Sequence, residues 1–529
     1  METKEGVASS AESTRAATLR QLVTSRYQAL RAEQAQSADN IFIGGDEFKN
    51  IDSNLVVLEN TAQEHPRSWS RGKKIRTTAI VAAFCFLSPF ASTIFAPSVH
   101  IIMSDLGITD SSLGALQVSI FLFAYAVGPL FLAPLSELHG RAIILNMGNL
   151  LFVAFSIGGG FAQTPAQLSV CRFLAGLGGS SGLAVVGGVT MDIWDLNDRP
   201  KASGLIMLGP VLGPILGPVC GGWMSARVSW RWTLWVPAIA AGILGLTALF
   251  YLHETYAPQV LKTKVRKAKS TRPGDDVYSV LVLESRPNGF GFLLSQFVRP
   301  VVYLIVDPAL FLASFYYSVS FGVVYLVVVT YADVFGLGYG HSVGIVGTDF
   351  LAAGIGMIIG TAVTIKVMQA VFSKDGPEGR KKYKPESRLL SCVPGLILST
   401  GGLLMYGFSA LKTHFIVPLV GIGIFCAGAM NTMMAIQLYA VEGFKFPASA
   451  FAAISILRCL FAGAFPLFGA KLFEALGVDW GIGLLAFLTL GVGLPLIPLL
   501  YIYGPRLRKT GLANMTKFEG SESKTSEDT

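Results

Sequence analysis

From residue 77 onward the chain alternates long apolar runs with short polar breaks. Runs long enough to cross a bilayer fall at 77–99, 113–135, 142–162, 166–191, 202–226, 231–252, 299–331, 341–371, 388–410, 414–442, 449–470 and 477–504, since about twenty apolar residues make one helical crossing. An all-α protein with twelve membrane helices, numbered spans 1 to 12, is expected, because helices satisfy their own backbone in lipid and open sheet edges cannot. One long break, 253–298, divides the spans into two six-helix halves, 77–252 and 299–504. Residues 1–76 are polar, rich in Ala, Ser, Glu and Gln, and read as a disordered tail; a second polar tail covers 505–529. No basic segment with a short apolar core opens the chain, so span 1 is expected to act as the insertion signal.

Composition strengthens this picture. The 529 residues are 52% hydrophobic and only 14% charged, with mean hydropathy +0.56, whereas soluble domains carry about 25% charge. The net charge of +8 reflects basic residues gathered at the breaks and calls for no nucleic acid partner. Arg67, Arg71, Lys73, Lys74 and Arg76 precede span 1, and Arg141, Arg199 and Lys201 sit in the next even-numbered breaks. The central break carries Lys262, Lys264, Arg266, Lys267, Lys269, Arg272 and Arg286. Lys374, Arg380, Lys381, Lys382 and Lys384 follow span 8, and Arg506, Arg508 and Lys509 follow span 12. The alternate breaks are acidic or nearly uncharged apart from Arg227 and Arg231. The bias of positive charge toward the inner side therefore places both termini in the cytoplasm and hides the sequon at Asn514 from glycosylation. Cys85, Cys171, Cys220, Cys392, Cys426 and Cys459 lie in apolar runs without metal-ligand or redox spacing and read as small core residues. No metal site and no cofactor is expected.

Span 5 contains a ladder of Gly209-Pro210, Gly213-Pro214 and Gly217-Pro218, followed by Gly221-Gly222. Glycines four apart line one helical face and let another backbone approach, and neighbours in a bundle can satisfy carbonyls freed by proline. The ladder asks for a partner helix and predicts a stiff, kinked one.

Several motifs together resemble the major facilitator superfamily, in particular the fungal drug:proton antiporters with twelve spans of the multidrug and polyamine branch. Leu135-Ser136-Glu137-Leu138-His139-Gly140-Arg141-Ala142 is similar to its loop motif between spans 2 and 3, with Glu137 where Asp is usual. Arg172-Phe173-Leu174-Ala175-Gly176 matches the span 4 motif, and the Gly-Pro ladder looks like the antiporter motif of span 5. His65-Pro66-Arg67-Ser68-Trp69-Ser70, Glu254-Thr255-Tyr256-Ala257-Pro258, Asp307-Pro308, Pro385-Glu386-Ser387-Arg388-Leu389 and the run from Ser449 through Arg458 to Phe468 mark the branch. Asp307 replaces its usual Glu, and Glu442 its usual Asp.

The resemblance implies proton-coupled efflux of small organic molecules, such as a drug, a toxin or a secondary metabolite, by alternating access between the two halves. The nearest alternatives are a polyamine or other organic-cation carrier and an importer or facilitator. A proton gradient would supply the work, since no nucleotide-binding loop of the G-x-x-x-x-G-K-S/T type occurs. The expected setting is the plasma membrane, with the vacuolar membrane as alternative, and the expected functional unit is a monomer.

Gating is expected of Glu137, Gly140, Arg141, Asp192, Arg199 and Glu442. Arg141 and Glu137, the latter near a helix N-terminus, would latch the inner side; the plainer reading is that Arg141 only fixes the topology. The resemblance implies proton coupling for Arg172, about two turns into span 4, whose rival reading is an arginine snorkelling outward, and for one of two acids. Asp349, two turns into span 8, is the most isolated; Asp307, two turns into span 7, either carries the proton or sits at a helix break before Pro308. Substrate-facing candidates are Gln117, Tyr125, Asn146, Asn149, Tyr316, Tyr317, Asn431 and Gln437. Each could equally hold two helices together.

Overall fold

The computed structural model describes mainly residues 64–195, 198–273, 290–373, 385–444 and 447–527. Nearly all of 1–63, Arg286 and the basic cluster from Lys374 to Lys384 lie outside them. Among the described residues, eleven helices are long and apolar enough to cross a membrane. Ten of them correspond to spans 1 to 10 in order. The eleventh, Ser449–Met515, has 67 residues; a straight helix of that length would reach about 100 Å, some three bilayer cores. It is broken at Gly477, whose φ of 73° suits glycine. Before that break Gly469 packs on Leu326 and Thr330, and after it Gly493 packs on Tyr316 and Gly511 on Asp307. The chain therefore runs alongside span 7 in one direction, turns at Gly477 and returns, giving spans 11 and 12.

Local chemistry sets the helix ends. Asp110 accepts the Ser112 N–H at 2.9 Å to start span 2, and Thr164 accepts that of Gln167 at 3.3 Å, with Pro165 in the first turn, to start span 4. Gly140, at φ 109°, permits the reversal between spans 2 and 3. The apolar run at 299–331 is two elements. A helix over Phe290–Val306 ends where Asp307 caps the next, Pro308–Tyr331, by accepting the Ala309 and Leu310 N–H groups at 3.0 and 3.1 Å. Asp307 therefore stands before span 7, not two turns inside it, because Pro308 has no N–H to continue the earlier helix.

Span 5, Arg199–Arg227, remains one helix through all three ladder prolines. A side chain at Gly209 would strike Ala82 and Phe86, at Gly213 Phe86 and Phe90, at Gly217 Phe90 and Thr93, and at Gly221 Ile94. The partner is thus span 1, met at steps of about four residues along its backbone. Gly222 turns to Gly347 of span 8, so span 5 links the two halves.

The end of the bundle carrying Arg71 and Arg508 is called the terminal face, and the opposite end the far face. Spans 3, 6 and 9 pack within their own halves, whereas spans 5 and 8 and spans 2 and 11 meet across the middle. Phe123 of span 2 lies over Gly463 of span 11. At the far face Ala96, just beyond the helix Arg71–Thr93 of span 1, enters the core of the second half, and His100 Nε2 lies 2.7 Å from Asp333 Oδ1. Asp333 is presented by the π-type turns of Ala332–Gly338 that follow span 7.

Candidate functional site

Two related charge networks occupy the terminal face. Arg141 opens span 3 and is 6% exposed. Its guanidinium donates to Ser136 Oγ at 2.6 Å and Glu137 Oε1 at 3.4 Å, both in the last turn of span 2, and to Asp192 Oδ2 at 3.5 Å at the end of span 4. Glu254, just after span 6, accepts the Arg141 and Ala142 N–H groups at 2.9 and 3.1 Å, a carboxylate placed at a helix N-terminus. Glu137 does not hold that position: it ends span 2 and is half-exposed. Gly140 and Gly188 leave room for Glu254 and Arg141 respectively.

The second half repeats the plan. Arg388, at the start of span 9, grips Glu442 at the end of span 10 with two bonds of 2.7 and 2.9 Å. Glu386 beside it takes Arg508, which follows span 12 and also donates to Gly443 O at 2.5 Å. In each half the short loop after the second span thus ties to the ends of the fourth and the sixth. Arg199 makes no hydrogen bond to these networks among the described contacts; it donates to Trp194 O at 2.9 Å and Met191 O at 3.4 Å, closing the carbonyl end of span 4.

Arg172 of span 4 is 1% exposed and donates to Gln117 O, Ala91 O and Ser92 O at 3.1, 2.9 and 3.1 Å. The first-span helix ends at Thr93, so Ala91 and Ser92 carry carbonyls with no helical partner, and the guanidinium takes both. Phe95 and Phe121 lie 4.1 and 5.0 Å from it. No carboxylate shares this pocket among the described contacts. Gln117 belongs to the same assembly, accepting from Ser169 Oγ at 3.1 Å.

The remaining candidates fall in three places. Asn149 donates to Ala241 O at 2.9 Å, binding span 3 to span 6, and Asn146 donates to Ala142 O on its own helix. Asn431 faces Gly395 of span 9, and Tyr316 faces Gly493 of span 12, so these four lie away from the junction of the halves. Tyr125, Tyr317 and Gln437 lie at it. Tyr317 Oη accepts from Gln437 Nε2 at 3.0 Å and from Arg458 Nη1 at 3.3 Å. Tyr125 clusters with Cys459, and Leu122 with Tyr325 and Ala462. Phe321 lies 5.3 Å from the Arg458 guanidinium. Arg458 stands eleven residues into the helix that opens at Pro447, a rise of about 16 Å and so near mid-bilayer. The result is an aromatic-walled site with Arg458, Gln437 and tyrosine hydroxyls as polar groups, and both Arg458 and Gln437 retain partial exposure.

Asp349 is not isolated. Its Oδ2 lies 2.7 Å from His341 Nδ1, and its carbonyl accepts Tyr331 Oη at 3.0 Å. Asp307 is 1% exposed at the terminal face, and burial pushes its carboxyl up to about 6, opposed by its two backbone N–H bonds and by Arg508. Sequence reasoning passed over Arg458, Glu254, His341, His100 and Asp333. Two of these stood inside motif runs used only as family marks, and the other three lie in or beside interhelical breaks.

Residues 81–466 match the family model described as Major Facilitator Superfamily. Efflux pump vrtL of Penicillium aethiopicum is 37% identical over 461 residues, covering 86% of this chain and 91% of its own. Efflux pump radE of Floropilus chiversii is 35% identical over 447 residues, covering 84% and 82%. Among solved structures, the xylose transporter XylE from E. coli, in a partially occluded inward open conformation, aligns with a TM-score of 0.57 at 14% identity, covering 81% of this chain and 98% of that one. A bacterial homolog to human lysosomal transporter Spinster, inward-facing and unoccupied, aligns at 0.55 and 14% identity, covering 85% and 95%. These structures share the fold.

Proposed function

The chain belongs to the Major Facilitator Superfamily, and from that premise we propose that it exports small organic molecules by alternating access, in exchange for protons. The observation that carries this reading is the aromatic and polar site between the halves at mid-depth, with Arg458 and Gln437 partly exposed, beneath a far face joined by His100 and Asp333. Two-half transporters bind cargo near the midplane and expose it to each side in turn. The basic residues gathered at the terminal face support a cytoplasmic setting for it, so cargo would be taken up from that side. One chain supplies the whole site, which suits a functional monomer.

Curated relatives named efflux pumps support export. Proton coupling is assigned to the Asp349–His341 pair, where one short contact joins two groups able to exchange a proton at the edge of span 8. Arg172 is given a structural part, since its donors are taken by carbonyls. The two terminal-face networks would brace each half as it rocks. A polyamine or other cation would need an uncommitted acid in the central site; Asp307 caps a helix at the terminal face, and Asp349 is paired with His341.

Deletion of the gene with profiling of toxin and drug sensitivity tests the reading. Raised intracellular accumulation of the compounds that become toxic is expected. Lowered accumulation would reverse the direction of transport, and an unchanged profile over a broad panel would remove the export reading.

A further inference from the structure

Two arginines at depth in the bundle, Arg172 and Arg458, are served differently. Arg172 spends Nε, Nη1 and Nη2 on three carbonyls. Arg458 donates to the Tyr317 hydroxyl at 3.3 Å, and its Nε is buried without a hydrogen-bond partner. Among the described residues no carboxylate pairs with it. A guanidinium at mid-membrane depth is costly unless solvated or matched by an anion. It stands where the two halves meet, with Phe321 and Tyr317 against its face at 5.3 and 5.9 Å, and Gln437 fixes the Tyr317 hydroxyl beside it at 3.0 Å.

We propose that the central site selects cargo carrying an acidic group, a carboxylate, enolate or phenolate on an aromatic or apolar body, and seats that group on Arg458 next to Tyr317 and Gln437. This rests on the export reading for the place of the site and adds the chemistry of what it takes. The planar fork offers Nε and one Nη to two oxygens of an anion, the arrangement in which guanidinium binds most tightly. The apolar body would lie among Phe321, Tyr325 and Tyr125. The anion also supplies the charge that the protein leaves out, so binding removes an unmatched cation from the middle of the bundle. Cations are excluded by the same charge.

The test uses the full chain in lipid nanodiscs and three matched probe pairs: 2-naphthoate, indole-3-butyrate and 4-phenylbenzoate, each with its carboxamide. Dissociation constants are read by ligand-induced shifts of thermal unfolding. At least one carboxylate is expected to bind about tenfold or more tightly than its amide, the range for a charge-assisted hydrogen bond. Arg458→Met should erase the preference while leaving amide affinity in place, and Arg458→Lys should restore part of it. If Arg458→Met does not fold, Tyr317→Phe, which keeps the charge and removes its hydroxyl partner, should alter the carboxylate preference and not the amide affinity. Equal affinity within every pair, no binding of any carboxylate, or a preference that survives Arg458→Met overturns the proposal. The export reading is judged separately: a carboxylate preference without gradient-driven transport sinks export and leaves the anion site standing, and gradient-driven transport with equal affinity within every probe pair does the reverse.

Discussion

At the scale of single residues, the decisive quantity is how each buried charge is matched. Replacing Arg172 by Met strands carbonyls of Gln117, Ala91 and Ser92 inside the bundle, and unpaired buried acceptors cost about 1–3 kcal/mol each. Arg172→Met is expected to lower the unfolding midpoint strongly, with Arg172→Lys intermediate; a variant as stable as the parent would show that the three bonds carry no weight. Asp307 gives a pH signature. Its carboxyl, ordinarily near 3.8, is held near 6 by burial, so the folded chain keeps a proton that the unfolded chain releases between those values. Stability therefore falls as pH rises through that window and levels off above it. Asp307→Asn keeps an acceptor for the cap and has no charge. The unfolding midpoint of the parent minus that of the variant should drop by several degrees between about pH 4 and 6.5; a constant difference would deny the shift. Residue type and approximate depth in a run made Arg172 legible. Its partners were not, because they are main-chain carbonyls freed by the end of another helix. Asp349 read as isolated because its partner, His341, lies just before the Val343 helix and folds back along its first two turns, a closure no apolar pattern marks.

At the scale of elements, the order of apolar runs already contained the twelve crossings. What it blurred were the places where one run hides two helices: Asp307-Pro308 divides 299–331, and Ser180 separates Pro165–Gly179 from Ser181–Ile193. The Gly-Pro ladder announced a close partner from its spacing but not which one, since any helix with a smooth backbone would satisfy it. Span 1 takes that place, and the three prolines leave the helix unbroken. Gly213→Val would drive a side chain into the Phe86 and Phe90 backbone and is expected to cost about 2–4 kcal/mol or prevent folding. Gly204→Ala on the same helix meets nothing within 4 Å and should be neutral or stabilising by up to about 1 kcal/mol. Equal effects of the two in thermal unfolding would mean that the ladder is not a packing device.

At the scale of the whole molecule, the two halves share one plan. Arg141 with Asp192 in the first corresponds to Arg388 with Glu442 in the second, and the ends of spans 6 and 12 tie back to those loops through Glu254 and Arg508. Each half is thereby stiffened at its terminal face, while at the far face the halves meet through His100 with Asp333, Gly222 with Gly347 and Trp223 with Gly344. Cysteines placed together at His100 and Asp333 and joined by oxidation should hold the far face shut and stop transport reversibly, with recovery on reduction. Full transport in the joined state would show that this face does not open. The central claim is proton-driven export, and it is tested most directly in everted membrane vesicles, whose lumen stands for the outside. With the lumen made acidic, a compound identified by deletion profiling should accumulate inside against its own gradient, and a protonophore or Asp349→Asn should abolish the accumulation. Accumulation indifferent to the protonophore, or movement of the compound out of the vesicle under the same gradient, would contradict the account.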